Sequence, residues 1–222
     1  MAMRSKVQLK CPKCGKDMEA EQWSAVNGDK NPQQKLKILE GTLFTPKCPS
    51  CGNVCTVGYP MIYHDTKQNY MIWLVYDEQE LKHVTDYFKK SKSEGGSDDS
   101  DEPVDRACRQ RAVFSPDRLR EKIMIFDSGL DDKLIEIMKL AYAKQAQMQL
   151  KGDNIAASFF SNDNGQMRIE MYTEGGKAFT APFTRKVYAD IEDKYSGRAC
   201  YAEDRVYVID DVFALDLLRS MR

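Results

Sequence analysis

Four of the seven cysteines stand in two copies of one pentapeptide, Cys11-Pro12-Lys13-Cys14-Gly15 and Cys48-Pro49-Ser50-Cys51-Gly52, with 33 residues between Cys14 and Cys48. Two residues between thiolates let a tight turn aim both sulfurs at one ion at ~2.3 Å, and two such turns complete a tetrahedron. Proline after the first cysteine fixes φ where no amide donor is wanted. Glycine after the second tolerates positive φ, so that neighbouring N–H groups can point at sulfur. The spacing predicts Zn2+ held by Cys11, Cys14, Cys48 and Cys51. Four thiolates around a dication leave a net −2, which backbone N–H groups and the cations Lys13 and Lys47 help to stabilise. With no open coordination position such a site is structural, and its binding free energy, on the order of 10–16 kcal/mol in small zinc peptides, goes into folding. A redox pair of C-x-x-C motifs or a bound iron is the weaker reading, because redox motifs usually occur singly after a strand in a thioredoxin-like unit. Cys55 lies in the strand-like run Val54 to Tyr59 and reads as a small buried apolar side chain. Cys108 and Cys200 have no partner by spacing and read as inert.

The elements that must position these turns follow from pattern. Val7 to Leu9 leads into the first turn and Met18 to Val26 leads out, a strand pair of zinc-ribbon type. Asn31 and Pro32 open a short helix, Gln33 to Glu40, stopped by Gly41, and Thr42 to Thr45 returns the chain to the second turn. Val54 to Tyr63 and Tyr70 to Tyr76, around the polar His64 to Asn69, read as a hairpin. The run Ser91 to Asp105 has six acids against one lysine and no aromatic residue, so it cannot bury itself. It is expected to be a disordered linker, dividing the chain into a zinc-ribbon-like region 1–90, an acidic linker 91–105 and a C-terminal region 106–222.

In the C-terminal region, Gln110 to Phe114 reads as an edge strand and Ser115-Pro116 as a helix start. Leu119, Ile123 and Phe126, then Leu134, Ile137, Met138 and Ala141 after Asp131-Asp132, predict a helical hairpin over about 116–148. Strands and helices fill 155–222. Ile155 to Phe160 and Met167 to Tyr172 flank the turn Asn162 to Gly165, and Lys177 to Ala181 extends the sheet. Lys186 to Lys194 is helix-like, Arg205 to Ile209 strand-like, and Asp210-Asp211 caps a helix with Phe213, Leu217 and Leu218 inward. The class is α+β.

The paired C-P-x-C-G turns, followed by Tyr59-Pro60-Met61-Ile62-Tyr63-His64-Asp65, Arg120-Glu121-Lys122-Ile123 and Gly129-Leu130-Asp131-Asp132, together resemble the bacterial CpXC domain over about residues 7 to 150. The resemblance implies the metal-binding role for Cys11, Cys14, Cys48 and Cys51, and implies no particular activity.

Other chemistry-capable residues have plainer explanations. His64 and Asp65 begin an acid–base pair, but adjacent strand residues face opposite ways, and turn chemistry accounts for both. Asp127, Asp131 and Asp132 match no calcium loop and suit helix capping. The basic cluster Arg106, Arg109, Arg111, Arg118, Arg120 and Lys122 outweighs Asp117 and Glu121 by +4, with Phe114 its one interleaved aromatic. It reads as a solvated or self-neutralised face rather than a phosphate site.

The whole chain of 222 residues is 42% apolar, with 33 basic and 34 acidic residues and a net charge of −1, so no global field recruits nucleic acid or lipid. No apolar run approaches the ~20 residues of a membrane helix, and no apolar signal segment leads the chain, so a cytoplasmic location is expected. The expected role is a non-catalytic interaction or regulatory protein with an as yet unidentified protein partner. A nucleic-acid-binding ribbon, using Lys6, Lys10, Lys13 and Lys16 with Trp23 nearby, is the second reading. An enzyme is the third: no phosphate loop, nucleophile elbow or open metal motif appears.

Overall fold

The computed structural model describes residues 3–93, 108–150, 152–197 and 205–220. Most of the acidic segment, together with Arg106 and Cys200, lies outside the described residues. The chain divides into two compact units, residues 1–120 with 203–207, and residues 121–202 with 208–222.

The first unit starts with strands β1 (Met3–Lys10) and β2 (Asp17–Asn27), then helix α1 (Pro32–Leu39). After the second cysteine turn come β3 (Met61–Asp65), β4 (Tyr70–Leu74), helix α2 (Glu78–Ser93) and β5 (Arg109–Val113). The strands form one sheet in chain order. β1–β2 and β3–β4 are antiparallel, whereas β2–β3 and β4–β5 are parallel. β2 is long enough, at 11 residues, to serve the cysteine turn at its start and β3 at its end. Every residue of β4 is buried, as befits a strand paired on both sides, with β3 and β5.

The structure departs from the expected elements at several places. The hairpin strand begins only at Met61: Val54 makes an isolated bridge to Lys47, and the residues up to Pro60 run irregularly. His64 and Asp65 belong to β3 rather than to the turn, which is Thr66 to Asn69. The stretch Arg205 to Ile209 is no strand; Tyr207 makes a single parallel bridge to Arg111. Helix α2 was not anticipated, although its start carries a readable signal. The Asp77 carboxylate accepts the Glu80 N–H, as an N-cap does, and the Glu80 carboxylate reaches back to the Tyr76 N–H, one residue before the cap. Leu81, Val84, Thr85 and Phe88 then share one helix face, and Phe88 is buried.

The second unit holds most of helix α3 (Pro116–Asp127), helix α4 (Asp132–Gln147), an antiparallel sheet of β6 (Ile155–Asp163), β7 (Gln166–Thr173) and β8 (Ala178–Pro182), and helices α5 (Arg185–Tyr195) and α6 (Asp211–Arg219). The expected α+β class, helix pair and three-stranded sheet are all present. α4 packs against β6, β7, α5 and α6. Its residues Asp132 to Lys139 are consequently buried all round, while Ala141, expected inward, is exposed. No helix among the described residues is long and apolar enough to cross a membrane.

The loop joining β2 to α1 is pinned to the β3–β4 turn by polar contacts. Asp29 accepts from the Thr66 hydroxyl and the Lys67 N–H, and pairs with Lys67 Nζ at 3.3 Å. The Thr66 hydroxyl, with help from Lys67, holds the Asp29 carboxyl below its ordinary value of 3.8. A depressed folded value means that the native state binds fewer protons than the unfolded chain. The stabilisation is therefore present above pH 3.8 and lost as pH falls through the folded value. Asp29→Ala should be less stable than the parent at pH 7, and the gap between their urea midpoints should close in more acid solution.

Candidate metal centre

Both cysteine turns are tips of minimal hairpins. The first sits between β1 and β2, whose last pair is Lys10 with Asp17, and the second is closed by the Lys47–Val54 bridge. Their backbone bonds repeat: Gly15 N–H to Cys11 O and Gly52 N–H to Cys48 O at 2.9 Å, Cys11 N–H to Lys16 O at 2.9 Å and Cys48 N–H to Asn53 O at 2.8 Å. Gly15 and Gly52 have φ of +69° and +71°, the left-handed conformation that turns the chain back after each second cysteine. Behind the turns the chain is held by α1, whose C-terminus is closed by Thr42 N–H on Lys37 O, and by Phe44 against Tyr59, ring centroids 5.1 Å apart.

The four sulfurs of Cys11, Cys14, Cys48 and Cys51 lie within 4.8 Å of one another. Across the turns, Cys11 and Cys51 are 3.6 Å apart and Cys14 and Cys48 3.8 Å. A tetrahedron with ~2.3 Å metal–sulfur bonds has sulfur–sulfur edges of ~3.8 Å. A disulfide would need ~2.05 Å, and all four cysteines are free. Cys11 and Cys48 are buried against Met18, Cys55 and Leu9, whereas Cys14 and Cys51 face solvent. Cys55 is buried beside the cluster, its sulfur accepting from the Asn53 amide at 3.5 Å, and is not one of the four converging donors.

Electrostatics sets what this cluster can do. The backbone N–H of Cys14, followed by that of Lys13, favours the Cys11 thiolate and brings that thiol down to about 6. The Asn53 N–H acts the same way on Cys51, but desolvation and the sulfurs of Cys14, Cys11 and Cys48 outweigh it and push Cys51 up to about 12. The two opposite shifts belong to one coupled cluster, in which like charges crowd one small volume.

Residues 9–139 match the family model described as CpXC protein. The chain belongs to that family. No curated protein and no solved structure matches it. The matched span contains both cysteine turns and runs on through β3–β5 and α3 into α4.

The other candidates separate cleanly. Asp65 is buried, pairs with Lys35 Nζ at 3.3 Å and accepts the Gln68 N–H at 3.0 Å, so from the end of β3 it closes the turn, while His64 faces the other way at partial exposure. Asp131 caps α4 through the Lys133 N–H at 2.8 Å. Asp132 is not merely a capping charge: it is fully buried and pairs with Lys122 Nζ at 3.2 Å. The basic cluster is not a continuous exposed face either, because Arg111 and Lys122 are buried. Arg111 donates to Gln110 O at 2.8 Å and lies over the Tyr207 ring.

Lys122 belongs to a buried ionic web that the sequence reading missed. Lys122 also reaches Glu136 at 3.3 Å, and Lys139 bridges Glu136 at 2.8 Å and Glu121 at 2.7 Å. The same Glu121 oxygen accepts the Phe160 N–H of β6 at 2.7 Å. On α4 the participants fall at positions 132, 136 and 139, a single helix face, but that spacing equally describes a solvated face. Only the elements packed around α4 turn it inward. Removing one partner of such a buried set costs ~3–5 kcal/mol, since the remaining charges keep their desolvation penalty. Lys139→Met should therefore destabilise the second unit by that order, read as faster hydrogen exchange at the Phe160 amide.

Proposed function

We propose that the protein is a zinc module, with Zn2+ held by Cys11, Cys14, Cys48 and Cys51 in a closed tetrahedral shell, acting in the cytoplasm as a non-catalytic interaction or regulatory protein. The observation that carries the reading is the convergence of four free sulfurs at tetrahedral-edge distances from two turns of identical backbone pattern. Soft thiolates in this geometry favour zinc over harder ions, and a reducing compartment keeps them available. When bound, the metal supplies charge compensation and a cross-link. The protein's own groups do the rest: knuckle N–H groups turn toward sulfur, Met18 and Leu9 keep water from the inner pair, and the glycines hold the turns. A shell with four protein ligands leaves no position for a substrate, so the exposed rim of the turns, Pro12, Lys13, Lys16, Lys47, Pro49 and Ser50, is what a protein partner would meet.

Native protein should contain one equivalent of zinc by elemental analysis. Cys14→Ser should lose it and melt the first unit. Metal binding contributes on the order of 10 kcal/mol in small zinc domains, comparable with the whole ~5–15 kcal/mol stability of a domain. Trp23 and Trp73, the two tryptophans of the chain, both lie in the first unit, so their fluorescence reports it alone. The Phe160 amide of the second unit should stay protected. Full metal content in the variant, or an unchanged fluorescence transition, would refute the structural role.

A second reading is favoured by one feature of the rim: Lys10, Lys13, Lys16 and Lys47 are all exposed around the turns. A nucleic-acid-binding ribbon would use them on phosphates. Binding to single-stranded RNA or duplex DNA should then weaken steeply between about 50 and 200 mM salt. Absence of any mobility shift at the lower salt would remove this reading.

A further inference from the structure

The metal shell is uneven in its exposure. Each close sulfur contact between the turns, Cys11 with Cys51 and Cys14 with Cys48, joins one buried sulfur to one that faces solvent. A metal-bound thiolate stays deprotonated and so remains a nucleophile wherever solvent can reach it. Resting on the zinc reading above, we propose that this centre is also an oxidation site for hydroperoxide, which converts its four thiolates into two disulfides linking one turn to the other, Cys11–Cys51 and Cys14–Cys48, and releases the metal.

The chemistry balances. The exposed thiolate of Cys51 attacks the distal oxygen of hydrogen peroxide, the O–O bond breaks, hydroxide leaves and a sulfenic acid forms. The buried thiolate of Cys11, 3.6 Å away, attacks that sulfur; the S–S bond forms, the S–O bond breaks and a second hydroxide departs. Cys14 and Cys48 repeat the sequence across 3.8 Å. Four thiolates, two peroxides and four protons from solvent give two disulfides and four waters, and the freed Zn2+ carries away the remaining charge.

Bridging within a turn is the competing outcome. It would have to reshape two turns that are each fixed by a glycine N–H on a cysteine carbonyl at 2.9 Å, with a further bond from the first cysteine's own N–H. Bridging between turns joins the pairs that lie 3.6 and 3.8 Å apart and leaves the backbone bonds of each turn in place. It also has a structural consequence. The new bonds join positions 40 and 34 residues apart, so they restrict the unfolded chain and keep the two turns linked after the metal has gone. Removing the metal with a chelator under reducing conditions leaves no such link.

The test uses the full chain, with its zinc content measured first. Hydrogen peroxide is added stepwise while released zinc is read with a chromogenic chelator, and the product is digested with trypsin and mapped by tandem mass spectrometry. Cleavage at Lys13 separates Cys11 from Cys14, and fragmentation between Ser50 and Cys51 places the partner. One zinc should appear for every two peroxides, with Cys11 joined to Cys51 and Cys14 to Cys48. Cys55→Ala should still give the Cys11–Cys51 and Cys14–Cys48 bridges. The oxidised protein should show a higher tryptophan-fluorescence midpoint than the reduced, chelated protein. Bridges within a turn, bridges to Cys55, or full zinc retention under excess peroxide would each overturn the proposal. Protein that holds no zinc at the outset would instead defeat the metal reading, while the peptide map of its oxidised cysteines would still decide the connectivity.

Discussion

Four sulfurs must occupy one small volume, and the first unit is organised around that constraint. Thiolates repel, so the cluster does not close by its own attraction. Backbone N–H groups favour the thiolate at Cys11, and burial with the neighbouring sulfurs disfavours it at Cys51. A dication removes the conflict by replacing mutual repulsion with four short bonds. The surrounding chain then needs only to deliver two rigid turns. It does so with two hairpin tips of matching hydrogen-bond pattern and a thin apolar backing of Met18, Cys55 and Leu9. So small a core would not hold the tips together unaided, which is why a metal and not apolar burial has the main part at this end of the sheet.

The same β2 strand that leaves the first cysteine turn continues until it pairs with β3, so the metal end and the sheet interior share one backbone. Along it the buried residues run from Met18 and Ala20 to Trp23 and Val26, and Val26 pairs with Tyr63 of β3, which in turn pairs with the fully buried β4. The second unit meets a comparable electrostatic problem by other means. Glu121, Lys122, Asp132, Glu136 and Lys139 are all taken out of water around α4, and their charges are answered by one another and by the Phe160 amide instead of by an ion. In both places buried charge fixes geometry, because each member has few acceptable positions.

What could be read from the sequence divides along the same physical line. The cysteine turns were legible because their chemistry is local: four residue types at fixed short spacing specify a turn, and two turns specify a tetrahedron. The Asn162–Gly165 hairpin and the Asp131 and Asp210 caps were legible for the same reason, since a side chain and a backbone donor two or three residues away settle them. Helix α2 had an equally local signal at Asp77 and Glu80 that went unused. The parallel pairing of β2 with β3, and the inward turn of Asp132, Lys122 and Lys139, had none. Parallel pairing joins distant segments with no turn to mark it. A charged face at helical spacing reads as solvated until the elements that cover it are known, and for α4 those elements come up to 87 residues later, at the end of α6.

The boundaries of the family likeness and of the compact units do not coincide, and the ionic web shows why that matters. The family match ends at residue 139, within α4, at the lysine that bridges Glu121 and Glu136. Glu121 takes a further hydrogen bond from Phe160, beyond the matched span, and α4 is covered by β6, β7, α5 and α6, also beyond it. A segment cut at 139 would thus keep all the ions of the web but lose one of its backbone donors and the apolar cover that excludes water. Exposed in this way, the ion pairs would fall from a geometry-fixing set to the weak surface kind. The metal centre has no such dependence, since its four donors and their backing all lie between Leu9 and Cys55. The local centre carries its own support, whereas the web, whose five ions also lie inside the matched span, depends on elements beyond that span for its cover.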